Sequence, residues 1–556
     1  MRCAIFIAIM FLETLTNKGK YTTHLLRESF RENGKVMHRT IANLSHCNPE
    51  TIEAMKLALK HKSDLTQLVC ISDILELFQG PSVGAILCLH SVAEKIGLRQ
   101  ALGDTVEGKR ALWQIMARVI DQGSRLSSVR LAGSHAVCDV LGLKAFNEED
   151  LYKNLDWLCE NQDFIEDALF QKSMGRTRNL FLYDVTSTYL EGIQNELAAF
   201  GYNRDGKKGK RQLVVGLLSD EEGYPLSVQV FEGNTQDPKT FKHQVKKVAE
   251  RFGGKSVTFV GDRGMIKGRQ IEDLSGEEFH YITAITKAQI ETLLAKEAFQ
   301  MSLFEENLTE VSYDGLRYVL RRNPVRAKEI ADNRQDKIAS LQKEIKKGNT
   351  RLIDHPKARP ETAINKLNRR IQKLKMSKWA TIEAKGRTLV FTVDEDEMQK
   401  ASKLDGCYVI KSDLLSKEFT KEFIHDRYKD LAKVEIAFRT MKTGFLELRP
   451  VNVRLARRTR AHVFVVTMAY RVTQELNKAW SKFNCTVEEG IHNLSSLCTT
   501  EVRAKGKPCF HRIPEPRPEV KRLLDALNVE LPKAIPSKGI VVSSRKKLVK
   551  SSKTSS

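Results

Sequence analysis

The stretch FLYDVTSTY, residues 181–189, decides the fold of this chain. Its apolar, aromatic and β-branched residues predict a buried strand, and one carboxylate, Asp184, lies at its centre. Burial of a carboxylate is costly unless the group is paired or binds a metal ion. The stretch therefore predicts a core strand that carries a functional acid. The alternative is an Asp with only a local turn or salt-bridge role.

A second acid follows in a comparable setting. The run VTFVGDRG, residues 257–264, predicts a strand that ends on Asp262. The glycines on both sides of Asp262 and Arg263 allow another group to approach the backbone closely, but they are also common in ordinary turns. Asp262 is therefore a candidate functional residue mainly in combination with Asp184.

A third acid, Glu435, lies in a predicted helix over residues 428–442. At about 100° per residue, one face of this helix spans an arc of roughly 80°. The residues on that face are Tyr428, Leu431, Glu435, Arg439 and Lys442. The face presents an acid beside an aromatic hydroxyl and two cations. The alternative is an ordinary ion pair between Glu435 and Arg439 on a surface helix.

The order of the predicted strands indicates the fold class. The elements that follow the strand of Asp184 are strands over 212–218 and 226–231, a helix over 240–252, the strand of Asp262, a helix over 268–274 and a strand over 280–285. A ribonuclease-H-like fold has this order: three strands, a helix and a further strand, with acids on the first and fourth strands. We therefore expect a mixed α/β catalytic core of that kind.

Residues 288–400 interrupt this order. Apolar residues recur at heptad spacing in two segments separated by a Gly- and Pro-containing break over 348–360, which predicts a helical hairpin. Residues 321–376 contain 17 Lys and Arg against 6 Asp and Glu. Such a charge run is usually a solvated helix face, but its concentration here favours an arm that follows phosphates.

We expect six segments along the chain. Helical periodicity dominates residues 79–178, which could form a DNA-binding module, although plain helical packing is the alternative. The predicted segments are a small α/β region over 1–78, the helical region over 79–178, the first part of the ribonuclease-H-like core over 179–287, the insertion over 288–400, the second part of the core over 401–480, and a C-terminal region with a basic disordered tail over 481–556.

The composition is that of a globular protein with a polyanionic partner. The net charge of +22 and the pI of about 9.4 favour nucleic acid as that partner, and a basic surface that serves only solubility is the alternative. The ten cysteines lack zinc-ligand spacing and suit a reducing cytosol. The apolar runs 3–12 and 463–470 are too short to span a bilayer, so we expect no membrane association. The first run reads as a buried strand, or as an over-extended start with Met10 as the initiator.

Three carboxylates in these settings can form a divalent-metal site. Two ions held roughly 3.5–4 Å apart can activate a water or a 3′-hydroxyl and stabilise the leaving oxygen of a phosphodiester. Oxygen ligands suit Mg²⁺ or Mn²⁺. Cations beside the acids, such as Arg263 and Arg439, would hold the phosphates in place.

The residues together resemble a known family. The chain is similar to the bacterial insertion-sequence transposases with an Asp-Asp-Glu triad, in the subgroup marked by Tyr-x2-Arg-x3-Glu-x6-Lys. The matching residues are Tyr428, Glu435 and Lys442, and the stretches DVTSTY (184–189), YNRDG (202–206), GNTQD (233–237) and GDRGM (261–265). The resemblance covers most of the chain and is clearest over about 180–475.

This resemblance implies a ribonuclease-H-like core that cuts transposon ends and joins them to target DNA as a multimer. It makes Asp184, Asp262 and Glu435 the catalytic residues and the ligands of two Mg²⁺ or Mn²⁺ ions. It also implies that Tyr428 and Lys442 contact DNA near the cleaved end.

The chain departs from the subgroup pattern at one position. Leu431 stands where the subgroup has its Arg. Arg427, Lys429 or Arg439 could supply the missing charge, and Arg439 lies best on the face. The departure concerns a phosphate contact and not the three acids.

One motif is misleading. Residues 201–208, GYNRDGKK, nearly fit a P-loop, but no Ser or Thr follows the Lys and no clear helix comes next. We therefore expect a basic loop near the DNA rather than an ATP site.

We predict a DNA transposase that hydrolyses the element's end and then joins the freed 3′-hydroxyl to target DNA. One rival is a structure-specific nuclease with the same site and no joining step. The other is a DNA-binding protein without catalysis, such as a decayed transposase. The expected partners are the inverted-repeat ends and target DNA, with a homo-oligomer on DNA and a cytoplasmic, nucleoid-associated location.

Overall fold

The computed structural model describes most of the chain. The described residues are 9–17, 21–32, 34–63, 75–172, 180–202, 204–207, 209–237, 239–241, 247, 257–263, 266, 279–449, 451–504, 507–535, 540 and 542. The chain divides into two compact units. The first comprises Met1–Gly80, Thr499–Pro514 and Pro532–Ser537, and the second comprises Pro81–Cys498, Glu515–Leu531 and Lys538–Ser556.

The strands and helices alternate in several blocks. The strands are β1 (Ile9–Asn17), β2 (Tyr21–Glu32), β3 (Lys35–Asn43), β4 (Leu75–Ser82), β5 (Leu180–Tyr189), β6 (Gln212–Asp220), β7 (Pro225–Glu232), β8 (Thr258–Gly261), β9 (His280–Ala284), β10 (Thr309–Tyr313), β11 (Leu316–Arg322), β12 (Ala380–Lys385), β13 (Thr388–Val393), β14 (Cys407–Ser412), β15 (Cys498–Ala504) and β16 (Lys507–Arg512). The helices are α1 (Pro49–Lys60), α2 (Gly84–Lys95), α3 (Leu98–Leu102), α4 (Val106–Ile120), α5 (Arg125–Ser134), α6 (Val137–Leu141), α7 (Glu148–Lys172), α8 (Lys287–Ala295), α9 (Pro324–Asp354), α10 (Pro360–Leu374), α11 (Glu395–Ser402), α12 (Lys421–Lys429), α13 (Leu431–Lys442), α14 (Ala456–Trp480), α15 (Val487–Ser495) and α16 (Pro518–Asp525).

The first unit contains two three-stranded sheets, ordered β1-β2-β3 and β16-β15-β4, together with α1. Helix α1 begins as its sequence predicts, because the Asn48 side chain accepts a hydrogen bond of 2.8 Å from the Thr51 amide and Pro49 occupies the first turn. Ile9 and Met10 lie in β1 and are exposed, so the prediction of a buried strand is wrong for this part of the apolar run.

The second unit is built on an eight-stranded mixed sheet. Its strand order is β10-β11-β14-β9-β8-β5-β6-β7. Strands β5, β6 and β7 are antiparallel neighbours, whereas β8 is parallel to both β5 and β9. The order β7-β6-β5-β8-β9, with these directions, is the ribonuclease-H-like arrangement and confirms the predicted fold class. The helices predicted over 240–252 and 268–274 lie mostly outside the described residues.

The insertion contributes more than the predicted helical hairpin. Helices α9 and α10 form that hairpin, and the β-hairpin β12–β13 packs against it. Strands β10 and β11 extend the central sheet, because β11 pairs with β14. Their turn is Asp314-Gly315, with φ values of 53° and 71°. An Asp-Gly pair between two β-prone runs predicts a tight hairpin, so the sequence contained a signal for these strands.

The N-terminal part of the second unit is helical. Residues 84–172 form α2 to α7, as the helical periodicity predicts. Helix α14 starts at Ala456 and is buried on most sides against α4, α7 and β7. Among the described residues no helix is both long enough and apolar enough to cross a membrane.

The core beside β5 is largely aromatic. Phe181 and Tyr183 of β5 are buried with Phe241, Phe259 and Tyr281. Phe241 and Phe259 meet edge to face at 5.5 Å between ring centres. Such contacts stabilise a pair by about 0.5–1.5 kcal/mol beyond the area that they bury. This packing holds β5 and β8 in a fixed relation beneath the candidate site.

Candidate active site

The two strand acids lie side by side because their strands are parallel neighbours. In the register of β5 and β8, Tyr183 pairs with Gly261. Asp184 follows Tyr183 and Asp262 follows Gly261, so the two acids occupy equivalent positions on adjacent strands. This register brings both acids to one end of β8.

Asp184 is partly buried in the middle of β5. Its Oδ1 accepts a hydrogen bond of 2.7 Å from the Val185 amide. Burial raises the pKa of Asp184 to about 7; the negative charges of Asp262 and Glu435 add to the rise, and the Val185 amide and the Arg204 guanidinium oppose it. The carboxylate therefore lies in a site where negative charge is costly without a cation.

Asp262 accepts hydrogen bonds from two directions. The Arg263 amide donates to its Oδ1 at 2.6 Å, and the Tyr428 hydroxyl donates to the same oxygen at 3.4 Å. Burial raises the pKa of Tyr428, and the charge of Asp262 raises it further. The Tyr428 hydroxyl therefore stays protonated and serves as a donor to Asp262.

Glu435 lies on α13, which packs against β5. The single helix predicted over 428–442 is wrong in one respect, because the chain forms two helices, α12 and α13, that meet at Asp430. The Asp430 side chain pairs with Arg427 at 3.1 Å and with Lys433 at 2.9 Å, and ion pairs at this spacing of three stabilise the helical turns on either side of Asp430. Its backbone stays helical, at φ −60° and ψ −17°, so Tyr428 and Glu435 still face the same region.

The three acids line one cavity of about 400 Å³, here called the carboxylate cleft. Helix α13 forms one wall, and the middle of β5 with the end of β8 forms another. The charged residues that line the cleft are Asp184, Arg204, Asp237, Asp262, Arg263, Glu435, Arg439, Lys442 and Arg449. The structure thus brings together every predicted site residue except Tyr428 in this cleft, and Tyr428 contacts it through Asp262.

Two of the predicted cations, Arg263 and Arg439, are exposed at the cleft. Within the described parts of the chain, neither side chain forms an ion pair. An exposed guanidinium without a carboxylate partner can bind a phosphate through two hydrogen bonds. Their charge is therefore available to a ligand in the cleft.

Lys442 is placed differently. It is 9% exposed, and its Nζ donates to Oδ1 of Asp205 at 3.1 Å. The same oxygen lies 2.7 Å from Nη1 of Arg449. Burial lowers the pKa of the Lys442 ammonium, and the Asp205 carboxylate opposes that shift. The ammonium is thus engaged with the loop between β5 and β6, residues 190–211.

This loop also positions an arginine that sequence reasoning missed. The Arg204 amide donates to Ser187 Oγ of β5 at 2.9 Å, and its Nη2 donates to both carboxylate oxygens of Asp237, at 2.8 and 2.7 Å. Lys207 and Arg449 each lie 5.6 Å from the centre of the Tyr189 ring. The signal was present, since Arg204 and Asp237 lie in the stretches YNRDG and GNTQD, but nothing in the sequence showed that they meet.

A second cavity of about 460 Å³, here called the apolar cleft, shares Asp184, Asp262 and Glu435 with the first. Its apolar lining residues include Ile285, Ile290, Ile330, Leu404 and Leu431. Leu431 is 8% exposed and lies among these apolar residues, where a leucine side chain suits its surroundings. Of the proposed substitutes, Arg427 pairs with Asp430, whereas Lys429 and Arg439 are exposed at the two clefts.

The near P-loop over residues 201–208 is followed by β6 and not by a helix. A P-loop directs the N-terminus of a helix at its phosphate. The described residues after it therefore lack the helix that a nucleotide site of this type needs, and the expectation of a basic loop rather than an ATP site stays a prediction.

The cleft has the donor atoms that divalent metal ions require. Carboxylate oxygens are the ligands that Mg²⁺ and Mn²⁺ prefer, and the buried charge of Asp184 would be offset by a cation. Across the described ranges, no group of three His, Cys, Asp or Glu side chains lies close enough to hold an ion. The oxygen ligands of the three acids suit such ions chemically. Binding of an ion by all three would require the acids to move closer together.

The strand order of this core is ribonuclease-H-like. Its first and fourth strands carry Asp184 and Asp262, and the helix packed against them carries Glu435, so the protein is of the ribonuclease-H-like class with an Asp, Asp and Glu cleft. Residues 175–472 match the family described as transposase DDE domain. Because this match covers more than half of the chain, the protein belongs to that family and is a DNA transposase.

Further comparisons concern the N-terminal region and similar solved structures. Residues 12–68 match the N-terminal domain of IS1634 family transposases, which supports an insertion-sequence transposase. A comparison with curated proteins gave no match. Among solved structures the chain is similar to a piggyBac transposase synaptic complex with hairpin DNA, at 10% identity and a TM-score of 0.32, covering 80% of this chain and 76% of that one. A score this low supports no detail of the site.

Proposed function

We propose that the protein cleaves the ends of its own mobile element and joins the freed 3′-hydroxyl to target DNA. The observation that carries this proposal is that Asp184, Asp262 and Glu435, from two strands and a helix, line one cleft in a DDE-domain chain. Phosphodiester chemistry of this kind needs carboxylates that converge from separate elements. The Tyr-x2-Arg-x3-Glu-x6-Lys subgroup, with Leu431 in place of Arg, is part of the same proposal.

In this proposal the three acids hold two Mg²⁺ or Mn²⁺ ions. When bound, the ions would stabilise the charge that develops on the attacking and leaving oxygens during in-line displacement. Tyr428 donates to Asp262 and thereby fixes the orientation of that carboxylate. Arg263 and Arg439 hold phosphates on either side of the scissile bond, because both are exposed at the cleft.

The test is an assay on the DNA that flanks the protein's own gene. The purified protein is incubated with duplex carrying the inverted repeats, with and without Mg²⁺ or Mn²⁺, and with a plasmid as target. We expect metal-dependent nicks at the repeat boundary and covalent joining of those ends to the plasmid. Nicks without joined products would support the nuclease, and binding without nicks at any metal concentration would support a non-catalytic DNA-binding protein.

The proposed function also implies an oligomeric state and a location in the cell. Joining two ends at one target requires both ends in one complex, so we expect a homo-oligomer on DNA. A substrate of genomic DNA places the protein in the cytoplasm, with the nucleoid.

For Lys442, a positioning role fits the geometry better than the predicted contact with DNA, which stays untested. Its ammonium pairs with the almost fully buried carboxylate of Asp205, one residue from Arg204. Arg204 in turn lines the carboxylate cleft with Asp184. The ion pair therefore ties α13 to the loop between β5 and β6 and fixes Arg204 beside the acids.

A comparison of Lys442→Met with Arg439→Gln separates the two roles. A lysine that contacts a phosphate contributes about 0.9 to the slope of log K against log salt. We expect Lys442→Met to leave this slope unchanged and to slow cleavage by roughly 10²-fold, because a small displacement at a catalytic site is costly. Arg439→Gln should reduce the slope by about one. The measurements are DNA binding from 50 to 200 mM salt and single-turnover cleavage.

The reverse pattern would contradict the positioning role. If Lys442→Met lowered the salt slope by about one and cleaved at the normal rate once DNA was saturating, Lys442 would be a direct phosphate contact. Exchange of the pair, Asp205→Lys with Lys442→Asp, adds a second readout. Partial recovery of cleavage relative to either single variant is expected only if the two side chains act through each other.

A further inference from the structure

The insertion forms an arm, residues 324–393, with a small core of its own. Helices α9 and α10 and the hairpin β12–β13 enclose this core. Its buried residues are Leu341, Ile345, Leu352, Leu367, Ile371, Met376, Trp379, Ala380, Ile382 and Leu389. The buried residues recur at spacings of four and seven in α9 and of four in α10, so each helix presents one face inward and one outward.

The outward faces of both helices are basic. From Lys343 onward, the exposed cations on them are Lys343, Lys346, Lys347 and Arg351 of α9 and Lys366, Arg369 and Lys373 of α10. On α9 the spacing of four between Lys343, Lys347 and Arg351 aligns them along the helix. None of the seven forms an ion pair within the part of the chain that the structure describes.

Acidic residues are sparse on these faces. Between Lys343 and Arg351 the only acid is Glu344, and it pairs with Arg370 at 3.0 Å. From Thr362 to Ile382 the chain contains no acid at all. An ordinary solvated helix face mixes charges of both signs. Here the excess of positive charge instead makes an unpaired basic surface, which suits a polyanion.

The arm starts in the wall of the apolar cleft. Asn323, Arg326 and Ile330, at the first turns of α9, line that cleft together with Asp184 and Asp262. A helix rises about 1.5 Å per residue, so Lys343 lies about 26 Å and Arg351 about 38 Å along α9 from Arg326. At about 3.4 Å per base pair, this distance corresponds to roughly 7 to 11 base pairs of duplex DNA.

We infer that the basic face of the arm binds the backbone of duplex DNA about 7 to 11 base pairs from the scissile phosphate. The inference rests on the proposed function, since it takes the three acids as the place of cleavage. Between Lys343 and Arg351 the exposed ionisable side chains of this face are all Lys or Arg, which suits phosphates and not base edges. The contact is therefore expected to be independent of sequence and sensitive to salt.

The test uses labelled duplexes that cross the repeat boundary. In one series the length of duplex on one side of the boundary is varied from 4 to 16 base pairs, and in a second series the length on the other side is varied in the same way. The arm variant is Lys343→Gln with Lys347→Gln and Arg351→Gln. The control variant removes three exposed charges elsewhere, Lys417→Gln with Lys478→Gln and Lys482→Gln. Both variants lose the same net charge.

In one of the two series, the wild type and the control variant should bind the DNA about tenfold more tightly once the duplex on that side of the boundary exceeds roughly 7 to 11 base pairs. The arm variant should lack this gain, and its salt slope on long duplex should fall by about 2.7 for three phosphate contacts. Its cleavage of saturating short duplex should stay normal. An arm variant that binds long duplex as wild type does, or that weakens on short and long duplex alike, would overturn the inference.

Failure of the arm and failure of the proposed function give different results. Binding of Asp184→Asn should show the same length dependence as wild type, because binding does not require chemistry. If no protein cleaves but the length dependence persists, the chemistry is wrong and the arm stands. If cleavage occurs without a length dependence, the arm is a solvated face.

Discussion

Asp184→Asn is expected to abolish cleavage, by at least about 10³-fold, while the protein folds and binds DNA normally. The substitution keeps the shape of the side chain but removes a charge from the centre of β5. Burial and the neighbouring acids raise the pKa of Asp184 to about 7, so this carboxylate is destabilising without a cation. Thermal stability without metal should therefore stay equal or rise.

A second readout does not depend on activity. If Asp184 is a metal ligand, Mg²⁺ at about 100 times its dissociation constant should stabilise the wild type by about 2.7 kcal/mol, and this gain should disappear in Asp184→Asn. Asp396→Asn, an exposed acid at the start of α11, is the matched control and should keep the gain. Equal stabilisation of all three proteins by Mg²⁺ would mean that Asp184 is not a ligand.

Gly233→Ala is expected to destabilise the second unit by about 3 kcal/mol. A Cβ at this position would lie 1.9 Å from the carbonyl oxygen of Gln212 and 2.6 Å from that of Ala199. Both contacts are with backbone, so no side chain can move aside. Gly233 opens the GNTQD stretch, so the shift should also displace Asp237, the partner of Arg204, and lower the cleavage rate.

Urea denaturation and single-turnover cleavage measure the two effects. Gly192→Ala is the control, since a Cβ there would have no neighbour within 4 Å. A Gly233→Ala protein as stable as Gly192→Ala would show that these loops do not pack as described.

The strands of the catalytic core could be predicted because their signals are local. Residues 181–189 and 257–261 are apolar and β-prone, and their order along the chain specifies the ribonuclease-H-like sheet. The position of Asp184 relative to Asp262 follows from the parallel register of β5 and β8. Strands β10 and β11 were missed because both are short, five and seven residues, although Asp314-Gly315 signalled their turn.

The cation contacts could not be predicted from helical periodicity. The face of α13 correctly groups Glu435, Arg439 and Lys442, but periodicity does not reveal which partner each meets. Lys442 pairs with Asp205, more than 200 residues away in sequence. Arg204 and Asp237 meet through a loop whose path depends on that pair. Tertiary ion pairs of this kind become visible only in three dimensions.

The most direct test of the central claim asks whether three distant acids share one metal site. Fe²⁺ is bound in place of Mg²⁺, and ascorbate with hydrogen peroxide generates hydroxyl radicals that break the chain near the ion. The account predicts three clusters of breaks, near residues 184, 262 and 435, that are suppressed together by excess Mg²⁺ and lost together in Asp184→Asn. Breaks at only one of these positions, or a pattern unchanged in Asp184→Asn, would contradict it.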